Sequence, residues 1–513
     1  MKKKALVLAL AMFGVCITSF GAAADEIVPK EPSEETAVLA VRSEPATLDL
    51  HAVSYNSAVA YAADLLYDGL VYYNSVTGET EPLLAESWEN IDDTTWRFHL
   101  KEGVLSSEGN PITASDVVYS FQRGASHTEL KSYFQYYDTE NFEAVDDLTV
   151  DIKTFDYFPR IINHLAFYCF SILDQESVEA AGEEAQMREP NAGCGPYVLG
   201  EWASGDHLTF VRNDNYYGQK PYFKELKIRF IPDDTSRLMA LQSGDVMAVD
   251  NILPSQVAGL EGDTNVTVCE QSICQTYEFI LNTENEILSD VRVRQAMNYA
   301  LNKDAALMIV SAGIGQTADG FFHPSLPEYA APADPSMVTY NPDKARELLA
   351  EAGYPDGFEI SIKHMENQRY SDMAELAQNA WAEVGIRVNL EPMESAAFFS
   401  EFNDHNFDVV AIAGSNSDMI IGLRNFSSES IGKGNNQGSY SSEAMDELIA
   451  KARVEKDEET RKEYLAQIQE LIREDVPVIP VFFGVALEGT RSSIEGLKLS
   501  VMGDVLYRGL QAK

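Results

Sequence analysis

LLAESWENIDDTTWRFHLKEGVLSSEGNPITASDVVYSFQR, residues Leu83 to Arg123, decides how this chain folds. Within it, Trp96, Phe98 and Leu100 alternate with Arg97, His99 and Lys101. Apolar residues at every second position form a strand with one buried face. Gly103 and Gly109 then mark a hairpin-like loop. Thr113 or Ser115 can cap the helix that follows, and Asp116 falls in its first turn. A negative charge suits the helix dipole there. The segment is therefore a strand–loop–helix unit.

Similar units flank it. AVLAVRSEPATLDL, from Ala37, predicts a strand and a turn around Glu44 and Pro45. Ala58, Tyr61, Ala62, Leu65 and Leu66 sit at helical spacing over about 57–67. Leu148, Val150 and Ile152 alternate with charged neighbours, as do Leu226, Ile228 and Phe230. Between those strands GCGPYVLGEW is a glycine-rich turn entering another strand. IPDDTSRLMALQSGDV predicts a helix opened by Asp234 or Thr235 and closed by Gly244. NPDKARELLAEAG has Asn341 to cap, Pro342 at the first helical position and Gly353 to stop it. SDMAELAQNAWAEVG predicts a helix from Ser371 to Gly385, IRVNL a strand, and FDVVAIA at 407–413 a buried strand. Two more helices follow, over about 442–453 and 458–474. VPVIPVFF then returns to extended chain, because its prolines exclude a helix interior. Strands alternating with helices point to an α/β fold.

The first 24 residues hold Lys2, Lys3 and Lys4, an apolar run to about Phe20, and Ala22 to Ala24. That is the layout of a signal peptide, with cleavage expected after Ala24 rather than lipidation at Cys16. Residues 25–36, acidic and with two prolines, read as a flexible leader. Removing the first 24 residues takes the formal net charge from −43 to −46. Such an acidic surface repels nucleic acid and anionic lipid head groups. Cys169, Cys194, Cys269 and Cys274 remain, too few for a disulfide scaffold, and buried free thiols are expected. Cys194 stands in the G-x-G-P-Y turn.

LAESW, FHLKEGV and the G-x-P-x-T-A-x-D-V-V-Y-S run resemble the signature of family 5 extracellular solute-binding proteins. These are the oligopeptide and dipeptide receptors of ABC importers. Four further blocks resemble the family in the expected order. They are Asn191 to Val246, Leu281 to Ala305, YNPDKARELLAEAGYPDGF and YSSEAMDELIAKAR. The resemblance implies a two-lobed, periplasmic-binding-protein-like α/β fold with an inserted domain and a ligand cleft between lobes. Residues 37–70, 191–275 and 482–513 would form lobe I, 71–190 the inserted domain II, and 276–481 lobe III. The hinge would cross near 269–282 and again near 478–483.

The same resemblance implies a monomeric receptor that needs no cofactor. It would capture a short peptide, catalyse nothing, and pass the ligand to the transmembrane subunits of an ABC permease. Family members pair the ligand's amino terminus with an acid after the strand matching FDVVAIAG. Here the loop is GSNSDM, so Asp418 is the candidate, flanked by Asn416 and Ser417. Its other reading is an exposed helix cap. Arg369, just before the SDMAELAQNAW helix, is the candidate for a ligand carboxylate, or else a surface charge. Tyr55 and Asn56 follow the E-P-x-T-L turn where the first lobe faces ligand. Arg292 and Arg294 read as scaffold ion-pairing residues.

A secreted hydrolase is the reading from another class. The chain has no H-E-x-x-H, no G-x-S-x-G and no phosphate loop ending in Lys-Ser/Thr. Its 8 histidines are scattered. Relatives of this architecture also bind oligosaccharides, opines, metal chelates or haem. Four tryptophans are few for sugar stacking, and no His or Met cluster suggests metal or haem.

Overall fold

The computed structural model describes residues 28–513 apart from 54–55, 75–77 and 417. The expected signal segment, Cys16, Tyr55 and Ser417 lie outside the described residues.

The opening strand is Thr95–Leu100, with Phe98 and Leu100 buried. It pairs antiparallel with Ala85–Asp92 and Thr149–Lys153, and Glu143–Asp146 completes the four-stranded sheet. The helix is Ala114–Ser126, capped by Thr113. The Asp116 carboxylate accepts the Thr113 N–H at 2.8 Å. Val117 and Phe121 of that helix share a buried cluster with Phe98, Val150 and Ile152. The period-2 and period-3.6 faces thus bury each other.

A second sheet of eleven strands runs through the rest of the molecule. One side holds Tyr197–Ala203, His207–Arg212, Glu225–Phe230, Thr36–Val41 and Ala248–Val249. The other holds Val409–Ser415, Glu359–Met365 and Arg387–Met393. Two long strands, Val266–Leu281 and Val478–Arg491, join the sides and pair with each other. Gln316–Thr317 adds to the second of them. Their ladder shifts register twice, between Ser272↔Val485 and Thr276↔Phe483 and again between Tyr277↔Phe482 and Glu278↔Pro480, and the first break is the wider. There Ile273, Cys274 and Gln275 face only Gly484. A Cβ on Gly484 would lie 3.1 Å from Gln275 Oε1, so the crossing is tight. The unpaired Cys274 N–H donates instead to Val501 O at 2.8 Å, and Cys274 O accepts from the Asn416 N–H at 2.9 Å.

The helices follow their capping residues closely. Ser57–Leu66 starts at the Asn56 cap, Asp234–Ser243 at Asp233, and Pro342–Glu351 at Asn341. Glu443–Val454 and Glu458–Asp475 start at Ser442 and Asp457. The GCGPY turn lies against the end of the first of these helices. A Cβ on Gly195 would lie 2.5 Å from the Leu66 carbonyl carbon, and Cys194 beside it is fully buried. Residues expected in a flexible leader are tied down from Val28 onward. The Gln511 side chain accepts the Lys30 N–H at 3.0 Å and donates to Val28 O at 3.1 Å. Ser33 N–H reaches Tyr222 O, and Thr36 already opens a strand.

Candidate functional site

Two cavities lie where residues from both sides of the ladder break meet. The smaller, about 160 Å³, is walled by Tyr72, Tyr73, Arg160, Phe167 and Tyr168 on one side. Ser325, Leu326, Asp418 and Ile421 close it on the other. The larger, about 620 Å³, is walled by Arg42, Ser43, Tyr61 and Asp250, and opposite them by Asn367, Arg369, Tyr370 and Ser415. Gln275 and Tyr277 of the first long strand also line it.

Met502 and Asp504 line both cavities. They belong to a turn joining the short strands Lys498–Leu499 and Val505–Leu506. The Ser500 hydroxyl donates to Asp504 at 2.8 Å, and Gly503 adopts φ of 89°. Sequence reasoning passed over this turn, although Gly503-Asp504 between apolar residues is a turn signal.

Asp418 is the N-cap of the short helix Met419–Gly422 and is 7% exposed. Its Oδ1 accepts the Ile421 N–H at 3.1 Å, and its Oδ2 accepts from Arg160 Nε at 3.0 Å. It is a cap, as one reading had it, but a buried one bonded to a cation of the chain itself. Arg160 also lies 3.4 Å from Glu328. Burial opposes the charge on Arg160, yet Asp418 and Glu328 outweigh it and hold its pKa above the ordinary value. Burial raises the Glu328 carboxyl, only partly offset by Arg160. Nothing local in DYFPR marks Arg160, because both partners are distant in sequence.

Arg369 sits in the first turn of a helix rather than in the loop before it. That helix, Gln368–Ala382, begins three residues before Ser371 because Asn367 caps it, accepting the Tyr370 N–H at 3.1 Å. The Arg369 guanidinium donates to the Tyr277 hydroxyl and lies 5.3 Å from that ring's centre. Asn416 lines a narrow passage with Ser415, Asp418 and Arg424, and accepts from Asn425 at 3.3 Å. Asn56 is exposed, and its side chain caps its helix by accepting the Ala58 N–H at 2.9 Å. It lines neither cavity, although Ser57 and Ala58 line the larger. The structure therefore places Asp418, Asn416 and Arg369 along the cleft and Asn56 at its margin. Arg294 donates to four carbonyls, those of Leu288, Ser289, Asp475 and Val476, and Arg292 pairs with Asp290 at 2.6 Å. Both hold the scaffold.

Residues 79–433 match the family of bacterial extracellular solute-binding proteins, family 5. The chain belongs to this family. Among its family 5 relatives it is similar to the dipeptide-binding protein of Escherichia coli. The two are 28% identical over 481 residues, covering 88% of this chain and 90% of the relative. It is likewise similar to heme-binding protein A of Haemophilus influenzae, 29% identical over 496 residues, covering 90% and 88%. The fold matches that of DppA from Helicobacter pylori, solved in complex with the peptide STSA. That likeness has a TM-score of 0.79 at 24% identity, over 93% of this chain and 98% of the other. The expected two-lobed family 5 architecture is thus the fold this chain adopts. Among the described residues, no helix is long and apolar enough to cross a membrane.

Proposed function

We propose that this chain is an extracytoplasmic receptor that holds a short peptide between its lobes. It then delivers that peptide, unchanged, to the transmembrane subunits of an ABC importer. One observation carries the reading. The cleft at the ladder break is walled from both sides by tyrosines and polar groups, with Arg369 open to it for a ligand carboxylate. Asn416 and Asp418 lie farther along the same cleft, where Asp418 bonds Arg160 of the inserted segment.

In this reading residues 37–70, 191–275 and 482–513 act as one lobe and 276–481 as the other, with 71–190 inserted. The chain works as a monomer, and its first 24 residues direct export and are removed. Moving an open-to-closed ratio from 1:99 to 99:1 needs roughly 5.5 kcal/mol of preference for the closed form. Main-chain hydrogen bonds to an extended peptide, together with paired terminal charges, are suited to supply it.

The experiment is mass spectrometry of ligand carried through purification, followed by incubation with peptide mixtures. Stoichiometric uptake of intact peptide, with a raised Tm, supports the reading. Cleaved products overturn it in favour of a hydrolase. The likeness to a heme-binding protein gives haem as the second reading, and a Soret band on titration with haemin would decide for it.

A further inference from the structure

The first long strand carries an acid that no contact described so far employs. Glu278 is 2% exposed, its Oε2 has no hydrogen-bond partner, and its cross-strand neighbours are Ile412 and Pro480. Burial alone pushes its carboxyl well above the usual carboxylate range, and no charged group acts on it. Buried polar groups are ordinarily bonded, so an orphan carboxyl asks for a reason.

Glu278 lines a cavity of about 220 Å³ together with Phe321, Ile412, Asn416 and Asn436. Arg424 and Tyr440 are the other titratable side chains in its wall. Ser415, Asn416 and Arg424 also line the narrow passage beside Asp418, so this recess opens off the cleft. The facing strand leaves room for the acid. A Cβ on Gly414 would lie 3.0 Å from Glu278 Oε1.

We propose that this recess receives a cationic end of the bound ligand, an ammonium or guanidinium, with Glu278 as its counter-charge. Asp418 is engaged by Arg160, whereas Glu278 has a walled space in front of it, and Arg424, the cation in the same wall, forms no ion pair with it. An entering cation favours loss of the carboxyl proton to solvent and gives the resulting carboxylate the charge-assisted hydrogen bonds it lacks. The cargo's identity rests on the peptide reading above; the recess does not. In a peptide the cation is either the amino terminus or a basic side chain.

Calorimetric titration with Ala-Lys-Ala, Ala-norleucine-Ala and the N-acetyl form of each separates these sources. The parent protein should favour a cation-bearing probe by roughly tenfold or more, the usual scale for a bond to a charged group. Glu278→Gln should abolish that preference and leave N-acetyl-Ala-norleucine-Ala within about threefold of the parent. A preference lost on acetylation assigns the terminus, and one lost on replacing lysine assigns the side chain. Gly414→Val, which crowds the carboxyl from the facing strand, should reproduce the loss. A parent without charge preference, or a Glu278→Gln protein that keeps the parent's ranking, overturns the proposal. If none of the four peptides binds, the peptide reading falls, and agmatine and cadaverine then test the recess itself. A thermal upshift lost in Glu278→Gln sustains the recess, and no upshift in the parent overturns it.

Discussion

Arg160 Nε and Asp418 Oδ2 lie 3.0 Å apart, although they come from opposite walls of the ligand cleft. Arg160 precedes the short helix Ile161–His164, and Asp418 caps another 258 residues away. Asp418 is buried and Arg160 nearly so, and the pair spans the smaller cavity from wall to wall. Separating the two walls would break it, so we expect it to act as a fastening between them. Removing one partner of a buried pair leaves the other charge unpaired, typically at about 3–5 kcal/mol. Arg160→Met should lower the Tm and enlarge the radius of gyration of the ligand-free protein in small-angle scattering. Asp418→Asn should do the same while keeping the helix cap, since asparagine caps as well as aspartate. A parent-like Tm and radius in both variants would contradict the fastening role.

Arg369 gives a separable expectation. Its guanidinium is held by Tyr277 and faces the larger cavity. Arg369→Ala should weaken a free-carboxylate dipeptide by roughly ten- to a hundredfold, the range for bonds to charged groups. The matching C-terminal amide should lose far less. Equal losses in calorimetry would place the carboxylate elsewhere.

Acid should loosen the protein through two buried histidines. Burial, and then Arg123, lowers the His51 pKa to about 3. Burial, and then Arg424, does the same for His164, which hydrogen-bonds the Tyr137 hydroxyl at 2.8 Å. Unfolded histidine titrates near 6.5, so below that pH the unfolded chain binds protons the folded one refuses. Their contribution is complete above about pH 6.5 and falls towards pH 3, by at most roughly 1.4 kcal/mol per pH unit for each residue. Urea unfolding across pH 4 to 7 should show a shallower slope for His164→Gln than for the parent. Parallel slopes would remove His164 from this account.

The thiols make the last expectation. Cys169, Cys194, Cys269 and Cys274 are free, and burial raises each of their pKa values. Ellman's reagent should label them slowly in buffer and completely in denaturant. Dithiothreitol should leave the Tm unchanged, whereas a drop on reduction would reveal a bridge.

The sequence made helices legible wherever a cap and a stop were local, as at Asn341 and Gly244. It misplaced the helix start at Arg369 because Asn367, a better-placed cap, lies upstream of the apolar pattern. The alternation of Trp96, Phe98 and Leu100 declared a strand with one buried face, and Phe98 and Leu100 are buried in it. The cleft was harder to read. Arg160, the Ser500–Asp504 turn and Glu278 acquire their roles from partners hundreds of residues away or from a wall of glycine. No periodicity or cap records such neighbours. The loop pointed to Asp418 as a candidate, but its bond to Arg160 belongs to the folded chain alone.

Because one ladder is woven into both lobes, they are not separate bodies on a loose string. We expect any tilt that admits cargo to be absorbed as torsion in these two adjacent ribbons, most where Ile273 to Gln275 stand against Gly484. Bulk added at Gly484 would press on Ile273 and Gln275 and so stiffen that axle. The readiness of the empty receptor to shut can therefore be tuned in the backbone crossing behind the cavity wall.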